Sequence, residues 1–358
     1  MEFSFQISRK LIGFFVTIPL AFILRSYWAL VFGTLAAKFG GTLVSYFVHS
    51  FRPRFSLKEI RSLMNFSRWM LLNNITNFFK QRSTDFFIGY LNGPASLGAF
   101  SVSSEFANIP TFEIGAPINR ALMPGFAKLK EEAQELRNAF RTAVGLVALI
   151  AIPIGVGIFS ISPFMVPVVL GEKWMAAIPI MEILSISSTV LVFHGTIVTL
   201  FIAIGQPREA TKISFIFVII LVVGLALLTR DYGAVGAAIA TLIACVLSTP
   251  LYLYQLKKFI GERFRRFFLA VVRPVLASVT MLFTVRAFLP NYEIGLAVLD
   301  GIVLLLGSIA IGATTYALVL ALLWYFFGKN QGPERLVLDK LSLRYEWFIK
   351  RIGSQKVN

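Results

Sequence analysis

The sequence predicts an all-α fold, a polytopic membrane bundle of about ten transmembrane helices. The 358 residues are 57% hydrophobic and only 15% charged, with a mean hydropathy of +0.76, whereas soluble domains carry about 25% charged residues. A helix needs about 20 apolar residues to cross the bilayer core, and such runs follow one another along the chain. They are continuous rather than alternating, which disfavours membrane β-strands.

The predicted spans differ in how clearly they are marked. In chain order they cover residues 11–24, 28–49, 63–90, 97–126, 142–162, 176–204, 213–229, 233–256, 267–285 and 297–327. The fifth and the seventh are the clearest. The third is rich in polar residues but contains neither glycine nor proline before Gly89, so we expect a continuous helix. Pro110, Pro117 and Pro124 interrupt the fourth, which we expect to be kinked because each proline removes a backbone hydrogen bond.

The basic residues predict the orientation. With these spans, 24 of the 34 lysines and arginines fall in the termini and alternate connections on one side, and only Arg25, Lys173, Arg230 and Arg286 lie on the other. Cytoplasmic segments of membrane proteins are enriched in Lys and Arg. We therefore expect both termini to be cytoplasmic, and the formal net charge of +16 reflects this asymmetry rather than a nucleic-acid surface.

Two basic segments have an apolar face at helical spacing, residues 52–64 and the tail 328–358. A basic amphipathic helix can lie on an anionic inner leaflet. The tail is therefore predicted to be a cytoplasmic basic amphipathic segment, and a solvated cytoplasmic segment is the alternative.

The third span carries the first group of candidate functional residues. Its polar stripe shares one helical face and consists of Asn73, Thr76, Asn77, Lys80 and Thr84. Polar and charged groups within a membrane are costly and mark protein-facing or water-filled surfaces. Arg82 projects from the opposite face with Asp85 three residues later, within pairing distance. A purely structural Arg82–Asp85 pair is the alternative to a functional one.

The fourth span adds Ser101, Glu105, Glu113 and Arg120. A kinked, polar span is typical of a cavity or a moving gate in a transporter. The two carboxylates are candidates for substrate or proton binding, whereas Arg120 could instead extend its charge to the cytoplasmic interface. His194, alone in an apolar span, is predicted to be a hydrogen-bonded core residue rather than a proton relay.

Enzyme and metal signatures are missing from the sequence. Cys245 is the only cysteine, which excludes an intramolecular disulfide and a cysteine-built metal site, and the two histidines are too few for a histidine-rich site. There is no GxxxxGK[ST] phosphate loop and no HExxH motif. We expect no cofactor, no metal and no enzymatic activity.

An ordered series of segments resembles the polysaccharide flippases of the multidrug/oligosaccharidyl-lipid/polysaccharide exporter superfamily. The segments are YWALV (27–31), RPRFS (52–56), TDFFIGYLNG (84–93), PASLGAFSVSSEFANIP (94–110), APINRALMPGFAKL (116–129), LGEKWMAAIPIMEIL (170–184) and AIGQPREATK (203–212). The resemblance runs from about residue 11 to residue 260.

The resemblance implies two six-helix halves around a central cavity. On that pattern residues 1–51 hold the last two helices of the N-terminal half, 52–260 the complete C-terminal half, and 261–327 two additional transmembrane helices. About four helices of the superfamily architecture are then expected to be missing at the N-terminus. This departure puts transport competence in question, since alternating access needs two halves that move around a shared site.

The implied activity is export of an isoprenoid-diphosphate-linked oligosaccharide across the bacterial cytoplasmic (inner) membrane for lipopolysaccharide or another surface polysaccharide. The expected partners are this lipid-linked oligosaccharide, membrane lipids, a polysaccharide polymerase and assembly proteins, with no nucleic acid. Our hypothesis is that Lys80 or Arg82 binds the diphosphate. The remaining expected substrate-binding residues are Asn73, Asn77, Ser101 and Arg120, and the ion-coupling candidates are Asp85, Glu105 and Glu113.

Three alternatives stay open at this stage. A multidrug or toxin extruder of the same superfamily commonly exports cations, and Lys80 and Arg82 argue against the acidic cavity that such substrates favour. A membrane polysaccharide polymerase would need a large external loop, which the predicted connections do not provide. The third alternative is a fragment that does not transport.

Overall fold

The computed structural model describes residues 2–26, 28–48, 60–262, 264–289 and 298–326. These residues form nine α-helices: α1 (Glu2–Leu24), α2 (Trp28–Val48), α3 (Ile60–Ala107), α4 (Ala116–Lys128), α5 (Ala133–Met165), α6 (Ala177–Ala203), α7 (Pro207–Ile260), α8 (Phe264–Phe288) and α9 (Val298–Phe326). The predicted amphipathic tail, 328–358, and most of the basic segment 52–64 lie outside the described residues.

The chain divides into two compact units, residues 1–63 and 64–358. In the first unit α1 and α2 pack closely against each other because small residues line their contact. A methyl group added at Gly33 would clash with Thr17, and one at Gly40 would come within 2.8 Å of Ile12. Small residues allow helix backbones to approach closely in membranes, where the hydrophobic effect does not drive helices together.

Two of the longest helices in the second unit are helical hairpins. A straight helix of 54 residues, the length of α7, would extend about 80 Å, more than twice the hydrocarbon thickness of about 30 Å. The chain instead reverses at Gly233 (φ 59°, ψ −140°), so that Gly224 of the first arm faces Ala240 of the second. Gly93 (φ 80°, ψ 178°) reverses α3 in the same way, and Pro94 follows it directly.

The predicted kink of the fourth span takes the form of a π-helical segment. Pro110–Gly115 is π-helical and joins the second arm of α3 to α4. Proline cannot donate the backbone hydrogen bond of a regular helix, and wider turns are a common consequence. Thr111 fixes the segment to α6, since its hydroxyl lies 3.0 Å from the Ser188 carbonyl and 2.8 Å from the Ser188 hydroxyl.

The core of the second unit has two main parts. One surrounds Ile88, Met181 and Phe217, where α3, α6 and α7 meet. The other surrounds Phe140 and Tyr252, where α5 and α7 meet. A third core cluster joins α5 to α6 through Val147, Ala151 and Val192.

Within the described residues, five helical stretches are long and apolar enough to cross a membrane: Ala133–Leu170, Ala177–Ala203, Pro207–Ile260, Arg265–Phe288 and Leu299–Phe326. The prediction of an all-α membrane bundle is confirmed, and the chain is a multi-pass membrane protein. The third predicted span is helical, but its polar stripe keeps its hydropathy below that of these stretches. The number of ten crossings and the division into family domains stay predictions.

Candidate functional site

The polar stripe of α3 faces the first arm of α7. At its start, the Thr211 hydroxyl lies 3.1 Å from the Trp69 carbonyl and 2.9 Å from the Pro207 carbonyl of its own helix. Two turns further along, Thr76 is buried and bonds its own helix at the Leu72 carbonyl. The Lys80 ammonium lies 4.2 Å from the centre of the Phe217 ring, a cation–π contact that is stronger away from water. This face therefore contacts protein, as expected of a polar stripe in a membrane helix.

Asn73 has unused hydrogen-bonding capacity within this stripe. Its side chain is 5% exposed, and its Oδ1 atom is buried without a hydrogen-bond partner in the described structure. Asn77, one turn later, is half-buried. A buried acceptor without a partner is costly, so Asn73 offers a site where a ligand hydroxyl or a water molecule would be stabilised.

Arg82 and Asp85 point away from this contact. Their side chains are 66% and 38% exposed, and Arg82 Nη1 donates to Asp85 Oδ2 at 3.1 Å. A guanidinium has five N–H donors, so this single contact leaves the rest of the fork available. Lys80 and Arg82, the two cations predicted to bind the diphosphate, thus have different surroundings: one is packed on an aromatic ring and the other is exposed.

The remaining predicted site residues follow the second arm of α3 and the π-helical segment into α4. Ser101, Glu105, Glu113 and Arg120 are all exposed. Arg120 Nε points to the Ala116 carbonyl of its own helix at 3.4 Å, a long contact. These four side chains therefore have access to a ligand on the surface of the second unit, in contrast to the buried Asn73.

Several polar contacts were not predicted from the sequence. Arg141 Nε donates to both carboxylate oxygens of Glu262, at 2.9 and 3.0 Å, and its Nη2 lies 2.8 Å from Oε2. The Glu262 side chain is 1% exposed. Arg137 Nη1 adds a bond of 3.0 Å to the Ile260 carbonyl. Together these bonds attach the start of α5 to the α7–α8 connection. The two partners of each contact are more than 120 residues apart in the sequence, so no local sequence pattern predicts these contacts.

Two further ion pairs lie in the second unit, one between two helices and one within α7. Arg286 of α8 binds Glu182 of α6 at 2.8 Å and lies over the Phe159 ring of α5. Near the start of α7, Glu209 binds Lys212 at 2.8 Å and accepts a bond from Gln255 at 3.2 Å. Within the described part of the chain, no group of three or more His, Cys, Asp or Glu side chains could hold a metal ion.

A cavity of about 850 Å³ lies among α5, α6, the second arm of α7 and α8. Its lining is mostly aliphatic and aromatic, with Thr189, His194, Thr249 and Lys257 as polar exceptions. His194 is 2% exposed, bonds Thr249 Oγ1 through Nε2 at 2.9 Å and stacks on Tyr252 at a ring distance of 4.2 Å. The prediction of a hydrogen-bonded core histidine is confirmed.

Comparison with known proteins defines the family. A family model described as "Polysaccharide biosynthesis protein" matches residues 1–179, half of the chain. The chain therefore belongs to the polysaccharide biosynthesis protein family, and the resemblance to that group is confirmed.

Two curated relatives illustrate the similarity. The chain is 25% identical over 286 residues to the lipopolysaccharide biosynthesis protein WzxC of Escherichia coli K12, an alignment that covers 77% of this chain and 57% of the relative. It is 24% identical over 317 residues to the succinoglycan biosynthesis transport protein ExoT of Rhizobium meliloti, covering 87% and 63%. The chain thus spans about three-fifths of the length of these relatives.

Among solved structures, the lipid II flippase MurJ in an inward closed conformation superimposes with a TM-score of 0.66. The match covers 88% of this chain and 66% of that chain at 16% sequence identity. At this identity the similarity concerns the fold alone. It supports the helical-bundle architecture and assigns no residue a role.

Proposed function

We propose that this protein moves an isoprenoid-diphosphate-linked oligosaccharide from the inner to the outer leaflet of the bacterial cytoplasmic membrane. Membership of the polysaccharide biosynthesis family carries the proposal, supported by relatives named for lipopolysaccharide biosynthesis and succinoglycan transport. A polysaccharide polymerase and assembly proteins are the proposed partners. The protein is proposed to act as a transporter and not as an enzyme.

The proposed orientation follows from the asymmetry of the basic residues. Lys128 ends α4 and Lys130 follows it in the connection to α5, and the end of α7 carries Lys257 and Lys258. Cytoplasmic connections are enriched in such residues, so these two connections and both termini are proposed to be cytoplasmic. The turns at Gly93 and Gly233 are then proposed to lie on the outer side.

In the proposed mechanism, Arg82 binds the substrate's diphosphate. Its guanidinium is exposed and uses one contact with Asp85, which leaves donors in the planar arrangement that suits phosphate oxygens. Lys80 is held over Phe217 and would have to leave that ring to reach a ligand. We therefore assign the diphosphate to Arg82 and a supporting charge to Lys80. Asp85 is released from its pair when the diphosphate binds, which makes it available for a coupling ion.

The sugars and the coupling ion are assigned to the other predicted residues. Asn73, Asn77 and Ser101 offer amide and hydroxyl groups that can bond sugar hydroxyls, and Arg120 offers a second cation. Glu105 and Glu113 are exposed carboxylates on either side of the junction between α3 and the π-helical segment. They are proposed to bind protons or sodium ions if export is ion-coupled.

The test is export of surface polysaccharide in a strain whose own copy of the gene is deleted. Arg82→Ala is expected to lower export about ten- to a hundredfold, the effect of losing a hydrogen bond to a charged group. Lys80→Ala is expected to have a smaller effect. Lys130→Ala is the matched control, because Lys130 belongs to an exposed pair with Glu131 at the proposed cytoplasmic surface. Membrane levels of each variant are measured by immunoblotting.

Normal export by Arg82→Ala would contradict the assignment of the diphosphate to Arg82. Normal export by Lys80→Ala as well would remove both cations from diphosphate binding. Efflux of organic cations with no effect on surface polysaccharide would instead support a drug extruder. Glycosyl transfer by the purified protein would support a polymerase.

A further inference from the structure

The 850 Å³ cavity around His194 lies on different helices from the proposed substrate-binding residues. Those residues belong to α3, the π-helical segment and α4, whereas the cavity is lined by α5, α6, α7 and α8. Its volume falls within the range of about 300–1,000 Å³ typical of small-molecule sites, which are mostly apolar with a few placed polar groups.

One wall of the cavity belongs to exposed side chains. Val246 and Tyr254 on α7 and Val275 and Val279 on α8 line it and are exposed to between 39% and 63%. In a helix that crosses a membrane, such exposed apolar side chains contact hydrocarbon chains. The cavity therefore opens sideways between α7 and α8, as a groove that an apolar chain from the bilayer can enter.

The second observation is the charge at one end of the groove. Lys257 lines it and is exposed, and it lies five residues, about 7.5 Å of helix rise, beyond Tyr252, which stacks on His194. Arg265 and Arg266 lie exposed at the start of α8. An apolar groove that ends at a cluster of cations is complementary to a lipid with one chain inserted and an anionic phosphate at the membrane surface.

From these two observations we infer that the groove between α7 and α8 binds an anionic phospholipid. One acyl chain occupies the cavity beside His194, and the phosphate binds Lys257. This inference does not depend on the proposed transport activity, because it concerns a resident membrane lipid and involves none of the residues assigned to the transported substrate.

The test uses the purified full chain and two phospholipids, phosphatidylglycerol and phosphatidylcholine, at equal concentration. Native mass spectrometry is expected to detect preferential retention of phosphatidylglycerol. Lys257→Gln is expected to reduce this retention at least fivefold. Lys258→Gln is the matched control: its ammonium lies over the Phe259 ring, it does not line the groove, and it should retain the lipid as the unchanged chain does.

A second measurement locates the acyl chain. Phosphatidylglycerol with a diazirine in its chain is photo-crosslinked in phosphatidylglycerol–phosphatidylethanolamine vesicles, and we expect labelling of residues 246–254 and 271–279. Val275→Trp fills the groove and should abolish this labelling. Leu318→Trp, on an exposed position of α9, should not change it.

Three outcomes would overturn the inference. The first is equal retention of both phospholipids. The second is labelling spread evenly over α8 and α9, which indicates ordinary surrounding lipid. The third is complete displacement of phosphatidylglycerol by an equimolar isoprenyl diphosphate, which would assign the groove to that class of lipid instead.

Discussion

Arg141 and Glu262 form a largely buried ion pair, with side chains 24% and 1% exposed. Breaking a buried pair by removing one partner typically costs about 3–5 kcal/mol, because the other charge is left without compensation. Arg141→Ala is therefore expected to lower the free energy of unfolding by an amount of this order, since Glu262 is 1% exposed. Thermal unfolding in detergent measures the effect.

Lys130→Ala is the control for this prediction. Lys130 pairs with Glu131 at 3.5 Å with both side chains largely exposed, and exposed pairs contribute about 0–1 kcal/mol. Equal stability of the two variants would show that the Arg141–Glu262 pair does not hold the α7–α8 connection to α5.

Glu105 and Glu113 carry the prediction of ion coupling. Both are exposed, so Glu→Gln replacements should leave folding unchanged. Each replacement removes a carboxylate charge that could bind a proton or a sodium ion. If export is ion-coupled through these residues, the double variant should lose the dependence of export on the ion gradient. If export by the double variant still depends fully on the ion gradient, neither residue couples export to the ion.

From the sequence, the helix face of a residue could be predicted, but its partner on a distant helix could not. Helical spacing separated the stripe with Lys80 from the side with Arg82, because positions three and four apart share a face, and the structure has Lys80 on Phe217 and Arg82 exposed. The partners of Arg141 and Arg286 could not be predicted, because they depend on contacts between distant helices. The substrate role of every candidate residue stays a prediction.

At the scale of single elements, the two helical hairpins depend on glycine. Gly233 has φ 59° and ψ −140°, a region that is essentially restricted to glycine and costs about 1–3 kcal/mol for other residues. A methyl group at Gly233 would meet only Asn92 at an ordinary 3.6 Å, so the cost of Gly233→Ala comes from the backbone. We expect destabilisation of about 1–3 kcal/mol in thermal unfolding.

Gly125→Ala is the matched control for the hairpin. Gly125 lies inside α4 with no atom within 4 Å of an added methyl group, so alanine should stabilise the helix by about 0.5–1 kcal/mol. A Gly233→Ala variant as stable as Gly125→Ala would contradict the claim that the backbone conformation at position 233 requires glycine.

The sequence predicted where helices occur better than how they are joined. Residues 213–229 and 233–256 are predicted as separate spans, and they form the two arms of α7 on either side of the Gly233 turn. Three prolines predicted a kink in the fourth span, but not that it would be π-helical at Pro110–Gly115. The form of a kink depends on neighbouring contacts such as Thr111 with Ser188.

For the whole molecule, orientation in the membrane can be tested with the chain's single cysteine removed. Cys245 is fully buried, and Cys245→Ser provides a background for new cysteines at the exposed positions Glu131 and Asp231. A membrane-impermeant thiol reagent applied to intact cells should label position 231 and not 131, because the connection after α4 is proposed to be cytoplasmic. The opposite labelling pattern would invert the proposed topology.

The central claim is that the protein moves a lipid-linked oligosaccharide between leaflets. The most direct measurement reconstitutes the full chain in vesicles that contain the isoprenoid-diphosphate-linked oligosaccharide of its own host. Translocation is followed as the fraction of the oligosaccharide that becomes accessible to an external glycosidase. The account predicts protein-dependent translocation that falls about ten- to a hundredfold in Arg82→Ala. Translocation no faster than in protein-free vesicles, by protein whose thermal unfolding shows it to be folded, would contradict it.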